Sequence, residues 1–582
     1  MLDLLIQGGT VVDGTGNPAE IGDVGVERGR IATIGRTDEP ARRRLDATGL
    51  LVAPGFVDIH THYDAQLAWD PAASPSPLHG VTTVIGGNCG FGLAPAGPAH
   101  SDYLMKLMSR VEGVPLAALS AGLSWDWSSY EEWLASLEGT IGVNAGFLAG
   151  HSTLRRVAMG DAAVEGAAPA TAVQTMVGLL HEAMAAGALG LSTSQAPTHR
   201  DGDGNPVPSR FADREELMAL AAAVRQHEGT TVEFILPGCL NGFTDEEVGL
   251  MTDLSLTAGR PANWNVLGVS ALNPTGHLNQ LESSSRAAEM GARIVALTLP
   301  QAMTIRLSFL SGAILDGLPD WGPTMTLPIP DRLSALSDRA VRQRLAEGAV
   351  SPAAGILRYL TNWKRLEFVE TFDPSTASLA GRKVGDVAAE RDQDPFDVLL
   401  DVVVADELRT GLRPPMPQLN DDDWRLRAEA WMDPRTVVGG SDAGAHLDMM
   451  CGAIYTSSLL ASVRDHGTLT WEEAVRQLTD VPASLYGLRA RGRIEIGAHA
   501  DLVIFDPSRV GPGPERTVDD LPGGASRLYA DANGYEHVIV NGTAVVESGR
   551  LTGATPGTLL RSGRDTKTVA VPGVPADRTT AP

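Results

Sequence analysis

Lysine is nearly absent from this chain, with four in 582 residues (Lys106, Lys364, Lys383 and Lys567). The whole has 46 basic against 71 acidic side chains, a net charge of −25. No Lys/Arg cluster offsets that balance, which works against nucleic acid and anionic membrane surfaces as partners and favours solubility. Cysteine is as scarce. Cys89, Cys239 and Cys451 are too few for a disulfide framework and odd in number, which points to a reducing compartment, the cytoplasm. Long apolar runs are missing as well. The chain opens on a strand-like Leu-Leu-Ile-Gln-Gly-Gly without a basic leader, so neither a signal peptide nor a membrane span is expected.

What is present suits two domains: a barrel of 250 residues or more plus one further unit. Residues 2 to 53 alternate apolar and polar positions in short runs broken by Gly, Asn and Asp, and the pattern returns at Asp501–Asp506 and His537–Val546. Hairpin-linked strands are expected at both places. The two ends, 1–54 and 490–552, are expected to build one composite β-sandwich, with everything between them inserted. Residues 55–489 alternate strand-like runs with Ala/Leu/Glu-rich helical stretches, as βα units round a parallel barrel do. Eight strands are expected, at Gly55–His60, Val81–Gly86, Gly142–Ala149, Leu189–Thr193, Thr231–Leu236, Ala262–Leu267, Ile294–Leu299 and Thr436–Gly440. Helices are expected at Ala170–Ala186, Arg214–His227, Gly276–Met290 and Trp471–Thr479. The fold class is therefore α/β, a distorted (β/α)8 barrel plus the β domain. About 300–435 is too long for a single loop; it reads as helices and loops inserted over the barrel mouth, where they can cover a substrate. Residues 553–582 lack periodicity and read as an extended or weakly ordered arm, with an oligomer contact as the functional alternative.

In such a barrel the chemistry gathers at the C-terminal strand ends. Gly55-Phe-Val-Asp-Ile-His-Thr-His-Tyr-Asp64 puts His60 and His62 one residue apart, so in an extended segment both imidazoles share a face and can hold one metal ion. Asp58 precedes them. The second strand runs into Gly86-Gly-Asn-Cys89-Gly-Phe-Gly92, which places a thiol in a turn where backbone passes close to a ligand. Beside a metal, Cys89 is a candidate ligand or bridge; otherwise it is a small buried hydrophobe. The third strand ends at Gly150-His151-Ser-Thr-Leu-Arg155, the fourth near Ser192 and His199. His151 and His199 are candidates for the pocket lining, against a core role for the first and no role for the second. The eighth strand ends at Gly439-Gly-Ser-Asp442-Ala-Gly-Ala-His446, where Asp442 can accept a proton from an activated water.

Taken together, these stretches resemble the amidohydrolase superfamily in its N-acyl-D-amino-acid deacylase (D-aminoacylase) branch. The motifs Gly55–Asp64, Asn88-Cys89-Gly-Phe-Gly, Gly150-His151-Ser-Thr-Leu-Arg155, Ala188–Ser194 and Ser441-Asp442-Ala443 follow the family order. The resemblance covers roughly residues 1 to 550. It implies a zinc-dependent hydrolase whose ion is held by the histidine pair and the last-strand aspartate, with Cys89 standing where many relatives place a carboxylated lysine. No lysine falls at an expected strand end. The chain also departs from the branch, which places a metal-binding histidine after strand five and another after strand six. Here those stretches read Thr231-Val-Glu233-Phe-Ile-Leu and Asn263-Trp-Asn265-Val-Leu-Gly. Either Glu233 replaces a ligand, or His199 or His151 swings in, or one ion is bound by His60, His62 and Asp442 with help from Cys89 or Glu233. The single-ion version is the expectation, with a second ion as the alternative.

The function that follows is hydrolysis of a linear amide in an N-acyl amino acid or related N-acylated small molecule, with Asp442 as general base and then acid. His151, Arg155, His199, Asp64 and Ser192 are the expected substrate contacts, and Arg155 or Arg200 would meet a substrate carboxylate. A neutral amide is an alternative substrate for so acidic a chain. The other readings are opening of a cyclic amide, a deamination, or a metal-poor homologue without catalysis. No nucleic-acid or membrane partner is expected; a homo-oligomer is allowed.

Overall fold

The computed structural model describes residues 1–574 except 302–303, 313 and 416–418; the last eight residues of the expected arm lie outside this range. The expected barrel strands form, all in parallel: β1 (Phe56–Asp58), β2 (Val81–Gly86), β3 (Asn144–Phe147), β4 (Gly190–Ser194), β5 (Thr231–Ile235), β6 (Ala262–Leu267), β7 (Ile294–Thr298) and β8 (Thr436–Val438). Helices cover the outside and side chains fill the inside. Most strand residues are therefore buried on both faces, which is why they read as near-continuous apolar and small runs. The four expected helices are Ala170–Ala186, Arg214–Arg225, Gly276–Glu289 and Trp471–Leu478. Three barrel helices, Tyr130–Leu137, Asp245–Ala258 and Trp471–Leu478, open on reciprocal caps (Ser129 with Glu132, Thr244 with Glu247, Thr470 with Glu473), which satisfy the free N–H groups of the first turn.

The barrel is distorted in a specific way. β1, β2 and β3 form one sheet, and a short continuation of the third strand, Ala149–Gly150, leads the other through β4 to β8. Among the described residues, backbone hydrogen bonds between the β8 and β1 segments lie beyond the strand ends, where the Asp442 N–H donates to the His60 carbonyl (3.2 Å) and the His62 N–H to the Ala443 carbonyl (2.7 Å). The seam thus runs through the residues expected to bind metal. Gly444 (φ +92°) is required there, because a Cβ would stand 2.6 Å from the His62 backbone.

Both chain ends enter one nine-stranded sheet. Its join is the antiparallel pair Leu51–Pro54 with Leu502–Phe505, and its core (Ile6, Val24, Val52, Leu502, Ile504, Ile539) is distinct from the barrel's. The hairpin Gly511–Leu521 with Ala525–Asn533 stands outside that sheet and reaches the barrel mouth. The long insertion packs round its own core, with Phe309, Trp321, Phe368 and Phe396 among its members and Trp321 stacked on Trp363 at 5.7 Å. Its last helix, Asp421–Met432, returns Trp431 to the barrel core. The arm is extended and firmly bonded through residue 574. It crosses the end of the barrel opposite the mouth, with Leu560 N–H to the Ala145 carbonyl (2.7 Å), Ser562 N–H to Gly187 (3.1 Å), Thr566 Oγ1 to Gly229 (2.6 Å) and Gly573 N–H to Gly291 (2.7 Å). Among the described residues, no helix is long and apolar enough to cross a membrane.

Candidate active site

β1 ends at Asp58 and the chain bends at His60, short of the extended segment expected from the sequence, yet the His60 and His62 rings still meet the same partners, 1% and 2% exposed, with ring centroids 5.3 Å apart. Cys89 Sγ lies 3.4 Å from His60 Nε2 and 3.8 Å from His62 Nε2. Asp442 Oδ1 lies 3.1 Å and 3.6 Å from the same two nitrogens. Neighbouring donors round one ion with bonds of about 2.0–2.3 Å stand roughly 3–4 Å apart, so the mutually close His60, His62 and Cys89 fit a single zinc-like cation, with Asp442 at the same spacing from both imidazoles. Cys89 (φ +57°) and Asp442 (φ +53°) are both held in left-handed backbone, a conformation that non-glycine residues keep only where the surroundings enforce it.

The enforcement comes from residues behind the ligands. Glu233, on β5, accepts the Cys89 backbone N–H at 2.9 Å. Ser192 Oγ accepts the Gly90 N–H at 3.0 Å and donates to the Gly87 carbonyl, and Asp64 accepts the Gly87 N–H at 3.0 Å. All three clamp the glycine-rich turn after β2. The backbone of His60 donates to Asp58 at 3.3 Å. Burial pushes Asp58 and Asp64 up to about 6 and Glu233 up to about 7. Burial likewise drives the Cys89 thiol well above its ordinary value, with Glu233 and Glu112 adding to it; a divalent cation supplies the counter-charge that a thiolate needs there.

At His62, burial opposes the protonated form but the Glu112 and Asp442 carboxylates outweigh it and push the ring up to about 9. For Asp442 burial is again the opposing influence, and hydrogen bonds and charge from His60 and His62 hold the carboxyl well below its usual range.

The site opens into a cavity of about 170 Å3 bounded by β-strand ends, the insertion and the C-terminal hairpin. Of the five expected substrate contacts, only His199 lines it. Burial pushes that ring down to about 3, so it is neutral, and its Nδ1 bonds Ser194 Oγ at 2.8 Å. Asp64 and Ser192 hold the turn as described. His151 and Arg155 face away into a buried network: His151 Nε2 lies 2.8 Å from Glu216 Oε1, and Arg155 Nη1 is 2.7 Å from Glu216 Oε2. With its guanidinium fully engaged and 0% exposed, Arg155 cannot meet a substrate carboxylate. Arg200 donates to the Gly204 carbonyl within its own loop. Glu233 Oε2 accepts from the Cys89 backbone, while its Oε1 is buried with no hydrogen-bond partner among the described residues.

Several participants went unread in the sequence. Glu112, 2% exposed, faces His62 Nδ1 at 3.5 Å. Asn265, from β6, sets Nδ2 3.4 Å from His60 Nε2 and 3.7 Å from Cys89 Sγ. His446 and Glu515 line the cavity. Only Asn265 carried a signal, since it falls in the stretch where a histidine was expected.

Comparison with known proteins agrees with this geometry. The profile of the Amidohydrolase family matches residues 43–546. N-acyl-D-glutamate deacylase of Alcaligenes xylosoxydans xylosoxydans is 32% identical over 558 residues, covering 94% of this chain and 93% of the relative. A solved D-aminoacylase, described as having a binuclear centre with one-metal activation and second-metal attenuation, superposes with a TM-score of 0.63 at 26% identity, covering 96% and 100% of the two chains. N-acyl-D-glutamate deacylase of Bordetella bronchiseptica, solved with zinc and a phosphonate mimic of the tetrahedral intermediate, gives 0.62 at 25% identity with the same coverage. A barrel whose first and last strands meet at a His-His-Cys-Asp cluster, matched along nearly its whole length, places this chain in the amidohydrolase superfamily, in the N-acyl-D-amino-acid deacylase branch.

Proposed function

We propose that the chain is a metal-dependent hydrolase of a linear amide in an N-acyl amino acid or related N-acylated small molecule, and that it works with one zinc ion. The cluster of His60, His62 and Cys89, with Asp442 set against both imidazoles in the wall of the cavity, carries the reading. These four residues would hold the ion. When bound, it supplies Lewis acidity that polarises an acyl carbonyl and acidifies water.

The remaining work falls to the chain. Asp442 is ionised, and its side chain is 33% exposed on the cavity side. It accepts the proton of the attacking water and passes it to the leaving nitrogen, the step that general acid–base catalysis requires. Glu112 orients the His62 ring through Nδ1, and Glu233 fixes the backbone that aims Cys89. The neutral His199 forms part of the cavity wall without adding charge. A single ion is favoured because Asn265, with an amide where a second imidazole was expected, already sits against His60 and Cys89. A cytoplasmic location is supported by three free, buried cysteines.

Metal analysis together with an assay of N-acetylated D- and L-amino acids and their amides tests the reading. About one equivalent of zinc is expected, and Asp442→Asn should lower kcat by roughly 10^2–10^4-fold. Less than half an equivalent after zinc loading, with no turnover on any amide, would sink it.

A further inference from the structure

The charges round the cavity are one-sided. Among the described residues its wall carries Glu112, Asp442 and Glu515 and neither lysine nor arginine. With a divalent ion in place, the Cys89 thiolate and the Asp442 carboxylate already balance its charge, and Glu112 remains beside His62. Glu515 comes from the hairpin strand Gly511–Leu521, is half-buried, and makes no ion pair among the described residues. Burial pushes its carboxyl up, against the pull of Arg413 and Arg306. A substrate carboxylate in this cavity would lose water and gain no counter-ion.

Cations do occur one step further out. A second chamber of about 230 Å3 shares Thr304 and Glu515 with the first and is lined by Arg306 and Arg413. Arg306 is held by Glu370 at 2.7 Å, however, and Glu370 is further tied to Thr517 Oγ1 at 2.6 Å. Glu515 lines both chambers, whereas Arg413 lines the outer one and is absent from the lining of the inner one. The inner wall is otherwise largely apolar, with Val111, Ile235, Leu299, Met450 and Ile454.

We propose that the substrate is an N-acylated amine carrying no free carboxylate, its distal end neutral or cationic and directed at Glu515. This rests on the amide-hydrolase reading above and narrows it, away from the acidic amino acids for which the compared deacylases are named.

The zinc-loaded full chain would be assayed on three series with a common acetyl group: N-acetyl amino acids of both configurations, their carboxamides, and mono-N-acetylated diamines. Carboxamides and diamines should exceed the free acids in kcat/KM by at least tenfold. Glu515→Arg should shift that ratio at least tenfold toward the acids, and the milder Glu515→Gln should reduce the advantage of the diamines over the neutral amides, both measured against retained zinc content. Preference of the unsubstituted enzyme for free acids would overturn the inference while leaving the hydrolase reading intact, and its loss in Arg413→Ala would show that the acid reaches the outer chamber. Absence of turnover on all three series with zinc bound would overturn both.

Discussion

His62 depends on a residue that no sequence motif announces. Glu112 takes its Nδ1 side at 3.5 Å inside the protein, the carboxylate–histidine arrangement that fixes ring orientation and raises ligand basicity. Glu112→Gln should weaken zinc affinity by about 10–100-fold, read by competition with a chelator. A second histidine reports on the fold instead of the site. His79 is fully buried between Ser457 Oγ (2.7 Å) and the Ala530 carbonyl (3.1 Å), and burial, partly opposed by that carbonyl, pushes it down to about 4. Unfolded, the same ring titrates near 6.5, so between about pH 6.5 and 4 the unfolded chain binds a proton that the folded one refuses. Stability should therefore fall as pH drops through that window, by about 3 kcal/mol from this group. The difference in urea denaturation between the unsubstituted chain and His79→Gln, followed from pH 7 to 4, isolates it. His60 and His62 were legible because a spacing of two residues is a local property, although the strand ends at Asp58 and the chain bends at His60. Glu112 and Glu515 were not, because each acquires its role only when distant elements are packed together.

At the level of elements, the helix His151–Met159 carries a motif of the family resemblance on a face that packs against another helix. Its His151 and Arg155, one turn apart, both grip Glu216 of the helix Arg214–Arg225, away from the cavity. Arg155→Ala removes the guanidinium from a buried carboxylate that keeps only His151 as side-chain partner among the described residues, and should cost up to about 3–5 kcal/mol in stability, measured by chemical denaturation, with kcat per correctly folded molecule nearly unchanged. Barrel strands could be read directly because burial on both faces leaves short apolar runs between turns. The hairpin Gly511–Leu521 could not, since its Gly-Pro-Gly-Pro start resembles a loop and its side chains are mostly part-exposed. The insertion was legible as an interruption of the βα rhythm, but its private core was not, because nothing in a single sequence says which apolar residues will choose one another.

Across the whole molecule, the end of the chain serves as a strap for the barrel floor. Residues 553–574 bond to segments that precede or enter β3, β4, β5 and β7 and to the Gly487 carbonyl, which accepts from Lys567 N–H at 2.8 Å. Each such bond contributes about 0.5–1.5 kcal/mol, and the buried Leu559, Leu560 and Val571 add apolar area. A chain ending at residue 552 should melt several degrees lower and exchange amide hydrogens faster at those strand starts, as mass spectrometry would detect. The lack of periodicity there left an extended arm and a weakly ordered one both open, because extended segments bonded to a scaffold carry no repeat of their own. The join between Leu51–Pro54 and Leu502–Phe505 bears on biogenesis. At about 5–20 residues per second, the early strands leave the ribosome roughly 20–90 s before their partners exist. For that interval their unpaired edges remain available to foreign strands, so a cell that makes this enzyme quickly must shield the nascent chain or accept aggregates.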